Sequence, residues 1–467
     1  MGFKKNNQSL NNIQGKKGSQ FSSQLRGINL ERVLVVAIDA AKFFQKALLC
    51  NYFGDVIEKP FFFGVDKNGI NHLCSLIENA KGQIQAERIF IGVEATGHYY
   101  EDIVRELGKR GYGVTIINAA TTYEERSSAL NWSKTDDLDL YAIAHALIQN
   151  KGMENKLPEG IYRRLMTLTR ARRNEVRKRA LVRVHIRTLM DHIWRDFQGY
   201  VEIKNNKPEK KLIFSKFWGK PSLFFLENYP HPSSVLELGI EKLLQLVKEK
   251  KLRIKETTIH TLMKVAEQSI VKSKEEVSAE LLLLKLAVQD LKRLDENVSI
   301  LEKEIEEALL ETDGRLLLTV PGIGVATAAE FFSELGDISQ YEHAGQLIKK
   351  AGTNPIIIQS GGTQGFYGRI SKQGNKNLRF MVYTVGKCLA SHNKDLRPYY
   401  EKLKERGKHA RKAFIALGNK FIRIAFSMLK HKKPYESKQS EYSIFQEIKK
   451  KLIYTKMNTY LNIALAA

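Results

Sequence analysis

The sequence predicts a mixed α/β domain at the N-terminal end, a central helical segment with a coiled-coil pattern, and a mainly helical C-terminal domain. Three observations lead there. From Glu31, apolar runs of strand length give way to alternating helix-length and strand-length patterns. From Leu284, apolar residues recur in steps of three and four. From Asp313, two helical patterns flank a Pro-Gly-Ile-Gly turn.

Residues 1–28 are polar, rich in Asn, Gln, Ser and Lys, and lack the apolar stretch of a signal peptide, so they read as a disordered basic tail. "RVLVVAIDA", "KALLCNYF" and "KPFFFGV" then read as three strands separated by turn residues. "INHLCSLIENA" is a helix, "ERIFIGVEA" a buried strand, "HYYEDIVRELGKRG" a helix closed by Gly111, and "YGVTIIN" a further strand. The next helix opens in "NWSKTDDLDLYAIAHAL", where Ser133 and Asp136 make a capping-box-like S-x-x-D. This domain is bounded at 29–155.

The segment 156–312 begins with "YRRLMTLTRARRNEVRKRALVRVHIR", which holds ten Lys or Arg and one acid, Glu175. Interspersed Leu and Val give that helix some apolar contact. With acids almost absent from its own face, phosphate binding is the stronger expectation, carried by Arg163, Arg164, Arg170, Arg172, Arg173, Arg177, Lys178 and Arg179. Residues 196–260 form an insertion of mixed composition. The heptad Leu284, Ala287, Leu291, Leu294, Val298, Leu301, Ile305, Ala308 predicts a coiled coil or a long helical hairpin. A second folded unit spans 313–435, with a tail at 436–467. It starts like a helix-hairpin-helix, in which Gly322 and Gly324 would let backbone N–H groups approach a phosphate.

The bulk numbers constrain partners. The chain has 467 residues, 43% of them hydrophobic, enough for several folded domains. Lys and Arg number 75 against 51 acids, a net charge of +24, which points to a polyanion, nucleic acid above all. Cys50, Cys74 and Cys388 are far apart with no CxxC, which suggests a reducing cytoplasm and argues against a thiolate zinc site. No apolar run approaches membrane-span length.

Against this excess of base, three aspartates stand within four positions, at Asp136, Asp137 and Asp139. A helix first turn explains Asp136 and Asp137. Asp139 starts the apolar stripe Ala142, Ile143, Ala146, Leu147, so a core-facing Asp139 needs a partner, a cation or a metal. Asp39 and Glu94 each end an apolar strand, where open sheets keep their sites. If those strands are neighbours, Asp39 and Glu94 lie side by side with Asp136 and Asp139 above them. Two Mg²⁺ (or Mn²⁺) ions would relieve the repulsion and suit phosphodiester chemistry.

These residues resemble a known family. Asp39-x-x-Lys42, the E-A-T-G-x-Y run from Glu94 to Tyr99, and K-T-D-x-x-D from Lys134 to Asp139 are similar to the acidic domain of the DEDD transposases of bacterial insertion sequences, the one-ten family. The resemblance implies a RuvC-like, RNase H-type N-terminal fold with Asp39, Glu94, Asp136 and Asp139 as the acids. Pro355, Ser360-Gly361, Ile370-Ser371-Lys372, Gly374-Asn375 and Leu378-Arg379 match the family's C-terminal domain, and imply that Ser360 attacks DNA to form a phosphoserine link. Arg369, Lys372 and Arg379 would bind the phosphate, and Ser371 is the rival nucleophile.

The resulting expectation is a DNA transposase or recombinase acting on element ends and target DNA, in a bacterial, nucleoid-associated cytoplasmic setting. The resemblance further implies guidance by a non-coding bridge RNA and a homo-oligomer, dimer or tetramer. The alternatives are a structure-specific Holliday-junction nuclease, which needs the acids and no serine, and a catalytically dead nucleic-acid scaffold.

Overall fold

A computed structural model describes residues 21–128, 135–151, 157–358 and 366–437. The chain divides into two compact units, Met1–Leu157 and Pro158–Ala467.

The first unit is built on a five-stranded mixed sheet of β1 (Val33–Asp39), β2 (Gln45–Asn51), β3 (Val56–Phe63), β4 (Arg88–Glu94) and β5 (Val114–Ile117), ordered β3-β2-β1-β4-β5. β2 runs antiparallel to β1 and β3, while β1, β4 and β5 are parallel. Helices α1 (Lys67–Gln83) and α2 (Tyr100–Lys109) cover one face, packing Ile70, Leu73, Ile77, Ile103 and Leu107 on Leu34, Val36, Ile38, Ile91 and Val93. Helix α4 (Asp136–Ile148) covers the other, packing Leu140, Ile143 and Leu147 on Val35, Ala37, Leu48 and Ile117. Burial from both sides explains why β1 reads as an unbroken apolar run rather than an alternating one. Gly92 lets α4 come close, since a Cβ there would lie 2.7 Å from Leu147 Cδ1.

Every strand and helix expected from Arg32 to Asn118 is present. One helix, α3 (Ala119–Ser128), is additional. It is capped by Asn118, whose Oδ1 accepts from Ala120 N at 2.9 Å. The cap of α4 is Thr135, which accepts from Leu138 N at 3.3 Å, and Ser133 lies outside the described residues. Upstream, the Phe21 ring lies 5.2 Å from that of Phe90, so the N-terminal segment has an apolar contact with the sheet.

In the second unit, the basic segment is one long helix, α5 (Gly160–Ile193), lying along α9 (Ser278–Leu310). Pairs Arg164–Glu304 and Arg179–Asp295 set the two antiparallel. Of the heptad residues, Leu284, Ala287, Leu291, Leu294, Val298, Ile305 and Ala308 are buried. The inserted chain between these helices forms a hairpin, β6 (Tyr200–Lys204) with β7 (Lys207–Lys211), and helices α6 (Lys220–Asn228), α7 (Pro232–Glu249) and α8 (Glu256–Gln268). Its Phe214, Phe225, Val235 and Leu262 share a core with Ile193 and Trp194 from the end of α5 and Leu284 from the start of α9.

The C-terminal helices are α10 (Val325–Leu335), α11 (Ala344–Ala351), α12 (Lys376–His392), α13 (Arg397–Glu405) and α14 (Ala410–His431), with β8 (Pro355–Ile358) and β9 (Phe366–Ile370) paired antiparallel. α12 and α14 cross at two glycines. A Cβ on Gly386 would overlap the Phe414 carbonyl, and one on Gly418 the Val382 carbonyl.

Gly386→Ala or Gly418→Ala should therefore destabilise the protein by about 1–3 kcal/mol, the usual cost of overpacking. Gly108→Ala, on the exposed side of α2 with nothing within 4 Å, should be neutral or slightly stabilising. Thermal unfolding of the three variants checks the contrast.

Candidate active site

Strand pairing lines up four residues across the C-terminal end of the sheet. Ile38 pairs with Val93, so Asp39 stands beside Glu94 at the ends of β1 and β4. On the other side Asp39 pairs with Lys46, and Lys46 with Phe62. Alternation fixes the face: Val35 and Ala37 pack on α4, so Asp39 points to the α4 side with Glu94, Lys46 and Phe62. The expected adjacency of Asp39 and Glu94 is thus present. Thr96 Oγ1 donates to Glu94 at 3.1 Å.

The helix acids are disposed differently from one another. Asp136 is exposed at the first position of α4, and Asp137 pairs with Lys46. Asp139 is 6% exposed and accepts from Arg126 on α3. Asp139 thus has the partner its core-facing position demands, and that partner is an arginine. Among the described residues no three Asp, Glu, His or Cys side chains converge as a metal site. Asp39 and Glu94 lie side by side at the strand ends, with Asp136 and Asp139 on the helix above the same face.

Next to Arg126, Glu125 is buried and held by Lys151 and by His145 Nδ1 at 2.5 Å. Burial alone would raise its pKa, but these hydrogen bonds bring it below the ordinary carboxylate value. Two ion-paired neighbours therefore clamp α3 onto α4. Arg126 and Lys46 were missed by sequence reasoning. The signal for Lys46 was its place in "KALLC", a lysine in phase with Leu48 and Cys50 on the helix-covered face. The thiols offer no nucleophile at Cys50, where burial and then Asp55 push the pKa up to about 11.

The basic helix is partly spent on its own neighbours. Arg170 donates to both carboxylate oxygens of Glu334, at 2.8 and 3.0 Å. Arg173 is 8% exposed, paired with Glu330, and donates to Asn377 at 2.9 Å. Arg164, Arg172 and Arg179 pair with Glu304, Glu302 and Asp295 on α9, and Lys178 with Glu175. Most of the acids that pair with α5 are supplied across the helix pair and from α10. Arg170 and Arg173 thus make structural contacts within the second unit. Arg177 is exposed.

The C-terminal candidates divide in the same way. Gly322, at φ +91°, packs against α12, where a Cβ would lie 3.0 Å from His392 Cβ, so its glycine serves the turn. Gly324 has open space before α10. Arg379 donates to the carbonyls of Ala351, at 3.2 Å, and Lys372, at 3.0 Å, which fixes the loop after β9. Ser371 donates to Asn354 Oδ1 at 2.7 Å. Arg369 and Lys372 are exposed. Ser360 lies between β8 and β9 in the chain, outside the described residues.

Residues 314–401 match the family model described as Transposase IS116/IS110/IS902 family, and residues 36–195 match a transposase model labelled DEDD and IS110. The chain belongs to this family of insertion-sequence transposases. The transposase is 25% identical over 401 residues to an uncharacterized 44.8 kDa protein of insertion element IS116 from Streptomyces clavuligerus, covering 85% of this chain and 95% of that one. It is 29% identical over 145 residues to the transposase for insertion sequence element IS1111A from Coxiella burnetii, 30% of this chain and 40% of that one. A pilin gene-inverting protein of Moraxella bovis is 25% identical over 127 residues, 27% and 39% of the two chains. Among the described residues of the transposase no helix is long and apolar enough to cross a membrane.

Glu125→Gln should cost about 1–2 kcal/mol at neutral pH, because half-exposed Lys151 and His145 regain water. A folded-state pKa below the unfolded value of 4.5 stabilises above that pH and loses its contribution as pH falls through the folded pKa. The gap to wild type should therefore close below pH 4.5, as read by denaturant unfolding. Arg173→Ala, which leaves Glu330 buried and unpaired, should cost about 3–5 kcal/mol. Arg177→Gln should leave stability unchanged.

Proposed function

We propose that the transposase cuts and rejoins DNA strands with the acids of the first unit acting together with Ser360. The observation that carries this is the side-by-side placement of Asp39 and Glu94 at strand ends, beneath a helix that opens with Asp136 and Asp139. That placement, on a five-stranded mixed sheet, supports the RuvC-like, RNase H-type reading of the first unit.

The donor set is all carboxylate oxygen, which fits Mg²⁺ or Mn²⁺. Asp39 and Glu94 would hold the metal, joined by Asp136 and Asp139, with Arg126 giving up Asp139. A divalent ion bound there supplies charge neutralisation at a phosphodiester and activation of the attacking oxygen. Ser360 Oγ attacks the phosphorus. It forms a phosphoserine ester as the bond to one deoxyribose oxygen breaks, and its proton passes to a carboxylate or water. A hydroxyl of the partner strand reverses the exchange, so the bond energy is conserved. Arg369 and Lys372, exposed beside the loop, are suited to neutralise the phosphate. Ser360 is favoured as the nucleophile over Ser371 because it is the serine of the S-G pair that matches the family's C-terminal pattern.

The reading extends to guidance by a structured RNA from the element's ends and to a dimer or tetramer. The net charge of +24 supports a polyanionic partner, for which Arg177, exposed on α5, is suited.

Asp39→Asn and Glu94→Gln should each abolish recombination with folding intact. Ser360→Ala should bind nucleic acid and form no covalent adduct, tested by trapping the reaction and mapping the DNA-linked peptide. An adduct on Ser371 would overturn the assignment. Each lysine or arginine contact removed should flatten the salt dependence of binding by roughly 0.7–0.9 log units.

A further inference from the structure

Three phenylalanines stand in water at the end of the sheet where the acids lie. Phe43 and Phe44, in the connection from β1 to β2, are 69% and 71% exposed, and Phe62 on β3 is 60% exposed. Single exposed rings are ordinary. These three share one sheet end, and two carry a cation over the ring: Lys42 Nζ lies 4.9 Å from the Phe43 centroid and Lys46 Nζ 5.0 Å from that of Phe62. Phe62 is also the last member of the row Glu94, Asp39, Lys46, Phe62.

We propose that Phe43, Phe44 and Phe62 form a stacking platform for unpaired nucleobases of the strand whose phosphate the acids hold. The proposal rests on the nucleic-acid reading of the acid row. Exposed aromatic rings interleaved with lysines are what a single strand requires, because every base has a π-face and every phosphate a charge. A protein-docking patch is depleted in lysine at its centre, whereas here lysines cover the rings. The spacing also suits. Two strand separations put Phe62 about 10 Å from Asp39, roughly three base rises of ~3.4 Å along one strand. A base stacked on Phe62 would thus belong to a nucleotide close to the phosphate at Asp39. Strand exchange needs such bases unpaired at the moment of transfer.

The test uses the full chain and a short single-stranded DNA carrying 2-aminopurine, the RNA of the same sequence, and the matching duplex. Wild type should quench the single-stranded probe and leave the duplex probe bright. Phe44→Ala with Phe62→Ala should weaken single-strand affinity by roughly ten-fold to a hundred-fold and abolish the quench, with Phe62→Trp restoring it. Phe53→Ala is the control, because Phe53 is 63% exposed and lies in the β2–β3 turn at the opposite end of the sheet. Quenching of the DNA strand supports the platform, and quenching of the RNA alone would overturn it. Unchanged affinity and quench in the double variant would overturn it. So would full binding by Phe62→Leu, or a double variant that loses only self-association. Asp39→Asn separates the two readings. If it abolishes recombination while the platform variants bind normally, the platform fails alone. If it recombines normally while the platform variants lose stacking, the acid site fails alone.

Discussion

A carboxylate taken out of water must meet a cation, and both units of this transposase are arranged around that requirement. Glu125, Asp139, Glu330 and Glu334 are each less than a tenth exposed. Their partners are Lys151 with His145, Arg126, Arg173 and Arg170. Each pair joins different elements: the first two fix α3 to α4, and the others fix α5 to α10. Such pairs add little net stability over apolar packing, but removing one partner is costly, so they specify which helix faces which.

This requirement redistributes the positive charge. The segment from Tyr162 to Arg187, with ten cations and one acid, reads from its own sequence as a phosphate binder. In the fold, α9 and α10 provide the missing acids, and Asn375 adds a hydrogen bond to Glu334 at 2.8 Å. Cations whose side chains reach solvent include Arg177 on α5 and Arg369 and Lys372 near β9. The excess of +24 is a property of the whole surface, not of one helix.

The same logic makes the acid row a controlled site. Lys46 sits in line with Asp39 and pairs with Asp137, and Arg126 holds Asp139. Resident cations let a cluster of acids fold without mutual repulsion. Phe43, Phe44 and Phe62 are exposed at the same sheet end, two of them with a lysine over the ring. Charge and stacking then meet within a few strand widths, which a sheet end can offer and a single helix face cannot.

The strands of the first unit were legible because apolar runs bounded by turns have one economical arrangement, buried between helices. The positions of Asp39 and Glu94 followed from where those runs stop. Helix α3 was not legible, because its buried residues are Thr122 and Glu125, so no apolar stripe marks it. The partners of Asp139 and Lys46 were equally hidden, since ion pairs between elements leave no local pattern. The sequence by itself determined the strands and helices of the first unit up to Asn118, the acid positions at strand ends and the family. Only the tertiary structure decided which charges face each other, because pairing depends on which elements pack together, and that contact is not encoded within either element alone.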